Sequence, residues 1–311
     1  MPTFTDFNFA STTGCNKIHA RMAVPDREVR GVVQIAHGIA EYINRYDGFM
    51  HFLAENGFVA VGNDHLGHGQ SIAIPEEQGI FAEKDGWKYV LDDMDKLHKI
   101  MKEKYPDVPY IFFGHSMGSF LVRHYAILHP DQPDLLIVCG TGHQEAALVK
   151  AGNAMAKLGV AISGPRKIGK LLNQVAFGSY TKGIENLRTP FDWLNRNPAE
   201  VDKYANDPLC GFIPTVSLFR DMMGGIAFIT DEKNIAMMNK QTPVLFIAGG
   251  DDPVGDKGEG VKRAVQAFQT AGVKDVTMKL YPGARHEILL ELNRDEVMGD
   301  VLAWIEDKLG K

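Results

Sequence analysis

The chain has 311 residues, of which 45% are hydrophobic and 23% charged, the balance of an ordinary soluble globular protein. A net charge of −6, a pI near 6.0 and the lack of any long Lys/Arg cluster argue against a nucleic-acid partner. No apolar run reaches the roughly 18 residues that a membrane-crossing helix needs.

The start, Met1-Pro2-Thr3-Phe4, has neither the basic residues nor the apolar segment of a secretory signal. The cysteines, Cys15, Cys139 and Cys210, are scattered, with no Cys-x-x-Cys and no metal-ligand spacing. Free thiols in a reducing, cytoplasmic setting are therefore expected.

Residues 3–10 and 17–24 read as two strands around the turn Ser11-Thr12-Thr13-Gly14. The apolar run Val32–Ala36 makes Arg30–His37 a strand, residues 42–56 suit a helix closed by Gly57, and Phe58–Gly62 is a short buried strand. Val90, Leu91, Met94, Leu97, His98 and Met101 recur at three- and four-residue steps, which predicts a helix over Trp87–Lys104. A strand at 110–113, a helix at 117–129 and a strand at Leu135–Cys139 follow.

From 143 to 238 there are helical stretches, glycines and prolines, but no clear buried strand. The alternation returns with strand Val244–Ala248, helix 258–271, strand 276–281 and helix 294–308. Strands alternating with helices imply an α/β fold with a mostly parallel sheet covered on both faces. Residues 143–238 are then a helical cap inserted between core segments 1–142 and 239–311. It would lie over the carboxyl edge of the sheet, where such folds bind ligands.

The most informative stretch is Tyr110-Ile111-Phe112-Phe113-Gly114-His115-Ser116-Met117-Gly118. An apolar strand meets Gly-x-Ser-x-Gly and a helix follows, the pattern of a nucleophile elbow. Serine is a weak nucleophile unless held exposed beside a base, and a sharp strand-to-helix turn holds it so. The α/β-hydrolase chain order then requires an acid and a histidine after later strands. Strand Val244–Ala248 runs into Gly249-Gly250-Asp251-Asp252-Pro253, and the next strand runs into Tyr281-Pro282-Gly283-Ala284-Arg285-His286. His286 is the expected base. Asp252 is favoured as the acid, with Asp251 read as a turn residue. The oxyanion should be held by the backbone amides of Met117 and of Ile39, which follows Gly38 in the loop after the early strand.

His37 reads as a loop-organising residue. The loop Gly62–Ser71, rich in Gly, His and Asp, reads as a support behind the site, because it lacks metal-ligand spacing. No metal and no cofactor is expected.

At these residues the chain resembles the monoglyceride lipase and lysophospholipase-like (serine aminopeptidase-type) branch of the α/β-hydrolases. The matching segments are His37-Gly38-Ile39-Ala40-Glu41 with Arg45-Tyr46, Asp64–Ser71, Gly114–Gly118, Gly249-x-x-Asp252-Pro253-Val254 and His286-Glu287. The resemblance implies Ser116, Asp252 and His286 as a catalytic triad, with Ile39 and Met117 at the oxyanion hole. It also implies that Glu41 and Arg45 lie in the pocket for the alcohol part of the substrate. One position departs: those lipases carry a second histidine three residues after the catalytic one, where this chain has Leu289.

In the cap, Lys150, Asn153 and Lys157 share one face of an otherwise small and apolar helix at 146–162. That apolar face is expected to pack on the sheet domain; lining an acyl pocket or touching a membrane surface transiently are the other readings. Residues 206–229, rich in Phe and Met, suit either an acyl pocket or core packing. Cys210 sits near that pocket or is a buried inert thiol. The chemistry expected is carboxylic ester hydrolysis through an acyl-enzyme, on a small-molecule or lipid ester such as monoacylglycerol or lysophospholipid. Peptidase, thioesterase and C–C bond hydrolase share the triad, because fold does not name a substrate. A binding protein that keeps the fold without turnover is a further alternative.

Overall fold

The computed structural model describes residues 1–310. Its strands are β1 (Thr3–Ala10), β2 (Lys17–Val24), β3 (Gly31–Ala36), β4 (Phe58–Asn63), β5 (Tyr110–His115), β6 (Leu135–Cys139), β7 (Val244–Gly249) and β8 (Val276–Tyr281). They form one 8-stranded sheet in the order β1-β2-β4-β3-β5-β6-β7-β8. The β1–β2 and β2–β4 pairs are antiparallel and all other pairs are parallel. Every residue of β3 through β7 is buried, while β1 and β8 at the two edges are only partly so. Unbroken apolar runs are what a sheet covered on both faces demands.

Side chains alternate across that sheet with the two-residue period of a strand. Tyr110 and Phe112 of β5 point into one apolar cluster, and Ile111 and Phe113 into the other. The second cluster is closed by α1 (Asp47–Glu55) and α10 (Arg294–Leu309). The first is closed by α2 (Gly86–Lys104), α3 (Met117–Leu128) and α9 (Glu259–Thr270). The helix expected over 42–56 divides: Ile43–Tyr46 is a 3-10 turn whose first amide donates to Asp64 Oδ1 at 2.8 Å, and α1 follows it.

Between β6 and β7 lie α4 (Ala146–Ser163), α5 (Lys170–Phe177), α6 (Pro198–Asn206), α7 (Val216–Ile229) and α8 (Glu232–Ile235). Helix α7 packs on α2, α3 and α4. Its Leu218, Phe219, Met222 and Ile229 join the core cluster, so core packing accounts for most of this methionine- and phenylalanine-rich stretch.

Helix α4 departs from expectation, because it lies mainly on α7 rather than on the sheet domain. Its small residues make the contact. A Cβ at Gly152 would stand 2.6 Å from Met223, and one at Gly159 would stand 2.9 Å from Val216. Glycines bring the two helices together, and the large residues Leu148, Leu158 and Ile162 are left exposed. No helix among the described residues is long and apolar enough to cross a membrane.

The register positions the site. Ala36 pairs with Gly114, His115 with Cys139, Cys139 with Ile247, and Gly249 with Tyr281. The carboxyl ends of β3, β5, β6, β7 and β8 therefore lie side by side, and their following loops open along one edge.

Candidate active site

Ser116 sits between β5 and α3 with φ +55 and ψ −121. A side chain other than glycine at positive φ is strained, so the surrounding structure must hold it there. Its amide donates to Cys139 O at 3.0 Å, and its carbonyl accepts the Ser119 amide at 2.9 Å. The flanking glycines are steric necessities. A Cβ at Gly114 would lie 2.2 Å from Gly118 O, and one at Gly118 would lie 1.9 Å from Ala36 O. Ser116 remains half-buried, open on one side.

Asp252 follows β7 and is fully buried. Its Oδ1 accepts the Val254 amide and its Oδ2 accepts His286 Nδ1, both at 2.9 Å. His286 follows β8 and is 2% exposed. A ring that donates Nδ1–H to Asp252 has Nε2 as its remaining nitrogen. The ring lies beside Gly140 and 4.7 Å from the His115 ring, next in sequence to Ser116. Asp251 is exposed and donates its amide to Ala284 O at 2.9 Å, a turn between β7 and the His286 loop.

The two expected oxyanion amides flank the serine. Met117 opens α3. Ile39 follows Gly38, where a Cβ would meet Ser116 Cβ at 3.1 Å. Behind this loop His37 Nδ1 donates to Gly38 O at 2.7 Å, and its Nε2 accepts the His65 amide at 3.0 Å. Burial holds His37 and His65 below the usual histidine range, and His68 down to about 3, so all three are neutral supports at pH 7. Asp64 braces the same loop by accepting His19 Nδ1, the Ile43 amide and the Gln70 amide at 2.8 to 2.9 Å.

Buried Glu41, half-buried Arg45 and buried Glu287 form a three-membered charge network. Arg45 Nη1 donates to Glu41 Oε2 at 2.6 Å, and both its Nη atoms donate to Glu287. The space beside them is about 20 Å³, lined by Glu41, Arg45, His115, Glu287 and Leu289 among others. Arg45 also lines a wider, open cleft of about 580 Å³ with Tyr42, Tyr204 and Asp207. Cys210 packs with Leu194 and Tyr204, and burial pushes its thiol pKa upward, so it stays protonated.

Sequence reasoning missed two neighbours of His286. The Trp193 ring, from the helical segment, lies 5.1 Å from the imidazole and itself packs on Tyr180 at 4.9 Å. His115 Nε2 lies 3.2 Å from His286 O. The position of His115 inside the elbow motif was a usable signal for the second; nothing in the sequence marks Trp193. The same helical segment carries the His286 loop: Arg285 Nη1 donates to Asp192 O and Asn195 O, and the Glu287 amide donates to Leu194 O.

Residues 27–293 match the family model described as serine aminopeptidase, S33. A monoacylglycerol lipase of Mycolicibacterium smegmatis is 28% identical over 99% of both chains. A mouse monoglyceride lipase is 28% identical over 92% of this chain and 85% of its own. Among solved structures, a thermostable carboxyl esterase from Bacillus coagulans in complex with glycerol is 32% identical, with a TM-score of 0.91 over 98% of each chain. The 8-stranded, mostly parallel sheet with its flanking helices is the α/β-hydrolase fold. The chain belongs to the serine aminopeptidase S33 family, in the monoglyceride lipase-like branch of the α/β-hydrolases.

Proposed function

We propose that this carboxylic ester hydrolase cleaves acyl esters of the monoacylglycerol or lysophospholipid class through an acyl-enzyme on Ser116. The observation that carries the reading is the buried Asp252–His286 pair, at 2.9 Å, beside a serine held at φ +55. His286 Nε2 takes the Ser116 proton as Oγ attacks the ester carbonyl carbon. The oxyanion forms against the Ile39 and Met117 amides. The intermediate collapses, the C–O bond to the alcohol breaks, and the alcohol leaves with the proton from His286. Water, deprotonated by the same nitrogen, then releases the acid. Asp252 keeps His286 in the reactive tautomer and stabilises the imidazolium.

The lipid preference is supported by the names of the relatives and by the apolar Trp193 ring beside His286, on which Phe177 stacks in turn. We read residues 143–238 as the cap over this edge. Leu158 and Ile162 on α4 and Leu171 and Val175 on α5 are exposed, apolar side chains suited to a transient contact with a lipid surface. Three free cysteines support a reducing, cytoplasmic setting.

The test is a rate series on p-nitrophenyl esters from C2 to C16, beside 1-monoacylglycerol, lysophosphatidylcholine and an aminoacyl p-nitroanilide. A preference for C8 or longer with turnover of either lipid is expected. Turnover of the anilide alone would make the chain a peptidase. Ser116→Ala should abolish activity; more than a tenth of wild-type rate would sink the assignment.

A further inference from the structure

We propose that Glu41 is a positioning residue for the oxyanion amide, acting on every ester alike, rather than a contact for the alcohol half of the substrate. This rests on the reading of Ser116 as nucleophile and Ile39 as oxyanion donor.

The Glu41 carboxylate is occupied. Its Oε1 accepts the Gly38 amide at 2.6 Å, the Tyr46 hydroxyl at 2.8 Å and His115 Nδ1 at 3.2 Å. Its Oε2 accepts Arg45 at 2.6 Å. A carboxylate has about four lone-pair sites. Three donors crowd Oε1 and leave it no further site, Oε2 is held by Arg45, and the residue is 4% exposed, so the carboxylate is engaged by the protein before any substrate arrives.

What the carboxylate holds is the peptide on either side of Gly38. Glu41 fixes the Gly38 N–H, and His37 Nδ1 fixes the Gly38 carbonyl at 2.7 Å. The Ile39 N–H belongs to the same rigid planar unit as that carbonyl and points the opposite way. Glycine by itself is the most freely rotating residue, so its two dihedrals need outside constraint. With both ends pinned, the direction of the Ile39 N–H is set before any substrate arrives, the preorganisation that makes an oxyanion donor effective.

The same carboxylate reaches the base. Burial opposes charge on both Glu41 and His115. Their hydrogen bond, with the added field of Arg45 at Glu41, outweighs burial, and it lowers the carboxyl and raises the imidazole. His115 Nδ1 stands 2.9 Å from the Tyr46 hydroxyl and 3.2 Å from Glu41 Oε1, and its Nε2 stands 3.2 Å from the His286 carbonyl. One anion thus ties the oxyanion loop to the loop that carries His286.

The experiment compares wild type, Glu41→Ala and Glu41→Gln by two readouts. The first is kcat and KM on p-nitrophenyl butyrate and on a monoacylglycerol. The second is the rate at which a fluorophosphonate labels Ser116, which needs the oxyanion amide but no alcohol group. Glu41→Ala should lower kcat on both esters and the labelling rate together, by about 10- to 100-fold, with KM within about threefold. Glu41→Gln keeps an oxygen for Gly38 and should recover part of each loss.

A loss confined to the glycerol ester and seen as a rise in KM would overturn the proposal, as would an unchanged labelling rate. Should Glu41→Ala not fold, Glu41→Asp is read in the same way, being one methylene short of Gly38 with its charge kept. If the wild type turns over neither ester, the substrate reading fails, and the labelling rates still judge Glu41.

Discussion

Asp252→Asn exchanges one oxygen for an NH2 group and leaves shape and volume unchanged, so its effect can be worked from two contacts. In wild type, Oδ1 accepts the Val254 amide and Oδ2 accepts His286 Nδ1, each at 2.9 Å. Asparagine can be placed in two ways. If its oxygen faces His286, its NH2 confronts the Val254 N–H in a fully buried site, a donor–donor clash worth ~2–3 kcal/mol. If its oxygen faces Val254, its NH2 confronts His286 Nδ1, and the imidazole relieves this by moving its proton to Nε2. The second arrangement wins, and it occupies the base with the proton it should be accepting.

The productive orientation then falls to about one molecule in 100. The neutral amide also no longer stabilises the imidazolium, which costs about another factor of 100. The expected loss in kcat is about 10⁴, or ~5 kcal/mol. Turnover of p-nitrophenyl butyrate at pH 7 is the assay, with circular dichroism to show that Asp252→Asn folds. Asp251→Asn, at an exposed turn, should stay within about twofold of wild type. More than a tenth of wild-type kcat for Asp252→Asn would refute the tautomer argument.

Three further outcomes are expected. Gly118→Ala places a Cβ 1.9 Å from a backbone oxygen that cannot swing away, and should cost ~2 kcal/mol or more in urea unfolding. Asp221, on α7, has its pKa raised to about 6 by burial, against partial relief from Arg220. A carboxyl raised in the folded state favours folding below its unfolded pKa, and that contribution is lost as pH rises toward 6. Asp221→Asn should therefore gain on wild type by ~2 kcal/mol between pH 4 and pH 7 in paired unfolding curves, and equal gains at both would contradict the burial argument. Finally, Ile162→Glu with Leu171→Glu should slow hydrolysis of monoacylglycerol in vesicles at least about fivefold and leave soluble p-nitrophenyl butyrate within about twofold. Equal effects on both substrates would remove the lipid-surface reading.

Much of the architecture was legible because its signals are local. The periods of β1, β2, β8 and α2 agree with the expected limits to within a residue or so. The elbow was legible for the same reason: two glycines and a serine in five residues answer to clashes with atoms that the fold always brings there. The packing side of α4 was not. Periodicity marks the apolar face, but the buried face of this helix is set by where Gly152 and Gly159 let α7 approach, and that depends on the partner's shape. The roles of Glu41 and Arg45 were hidden likewise. A Glu-Arg pair one helical turn apart does not reveal its third partner, and Glu287, distant in sequence, closes the network from the other side.

The sequence by itself determined the alternating α/β order, the strained turn at Ser116 and which residue types stand after β7 and β8. These follow from steric rules that act over a few residues. Only the tertiary structure decided that Asp252 Oδ2 meets His286 Nδ1 at 2.9 Å, that the Trp193 ring lies 5.1 Å from the imidazole, and that the Glu41 carboxylate accepts the Gly38 amide. Those contacts join segments far apart in the chain. Their distances are fixed by sheet register and by burial, which leaves each buried polar atom a single set of partners within reach.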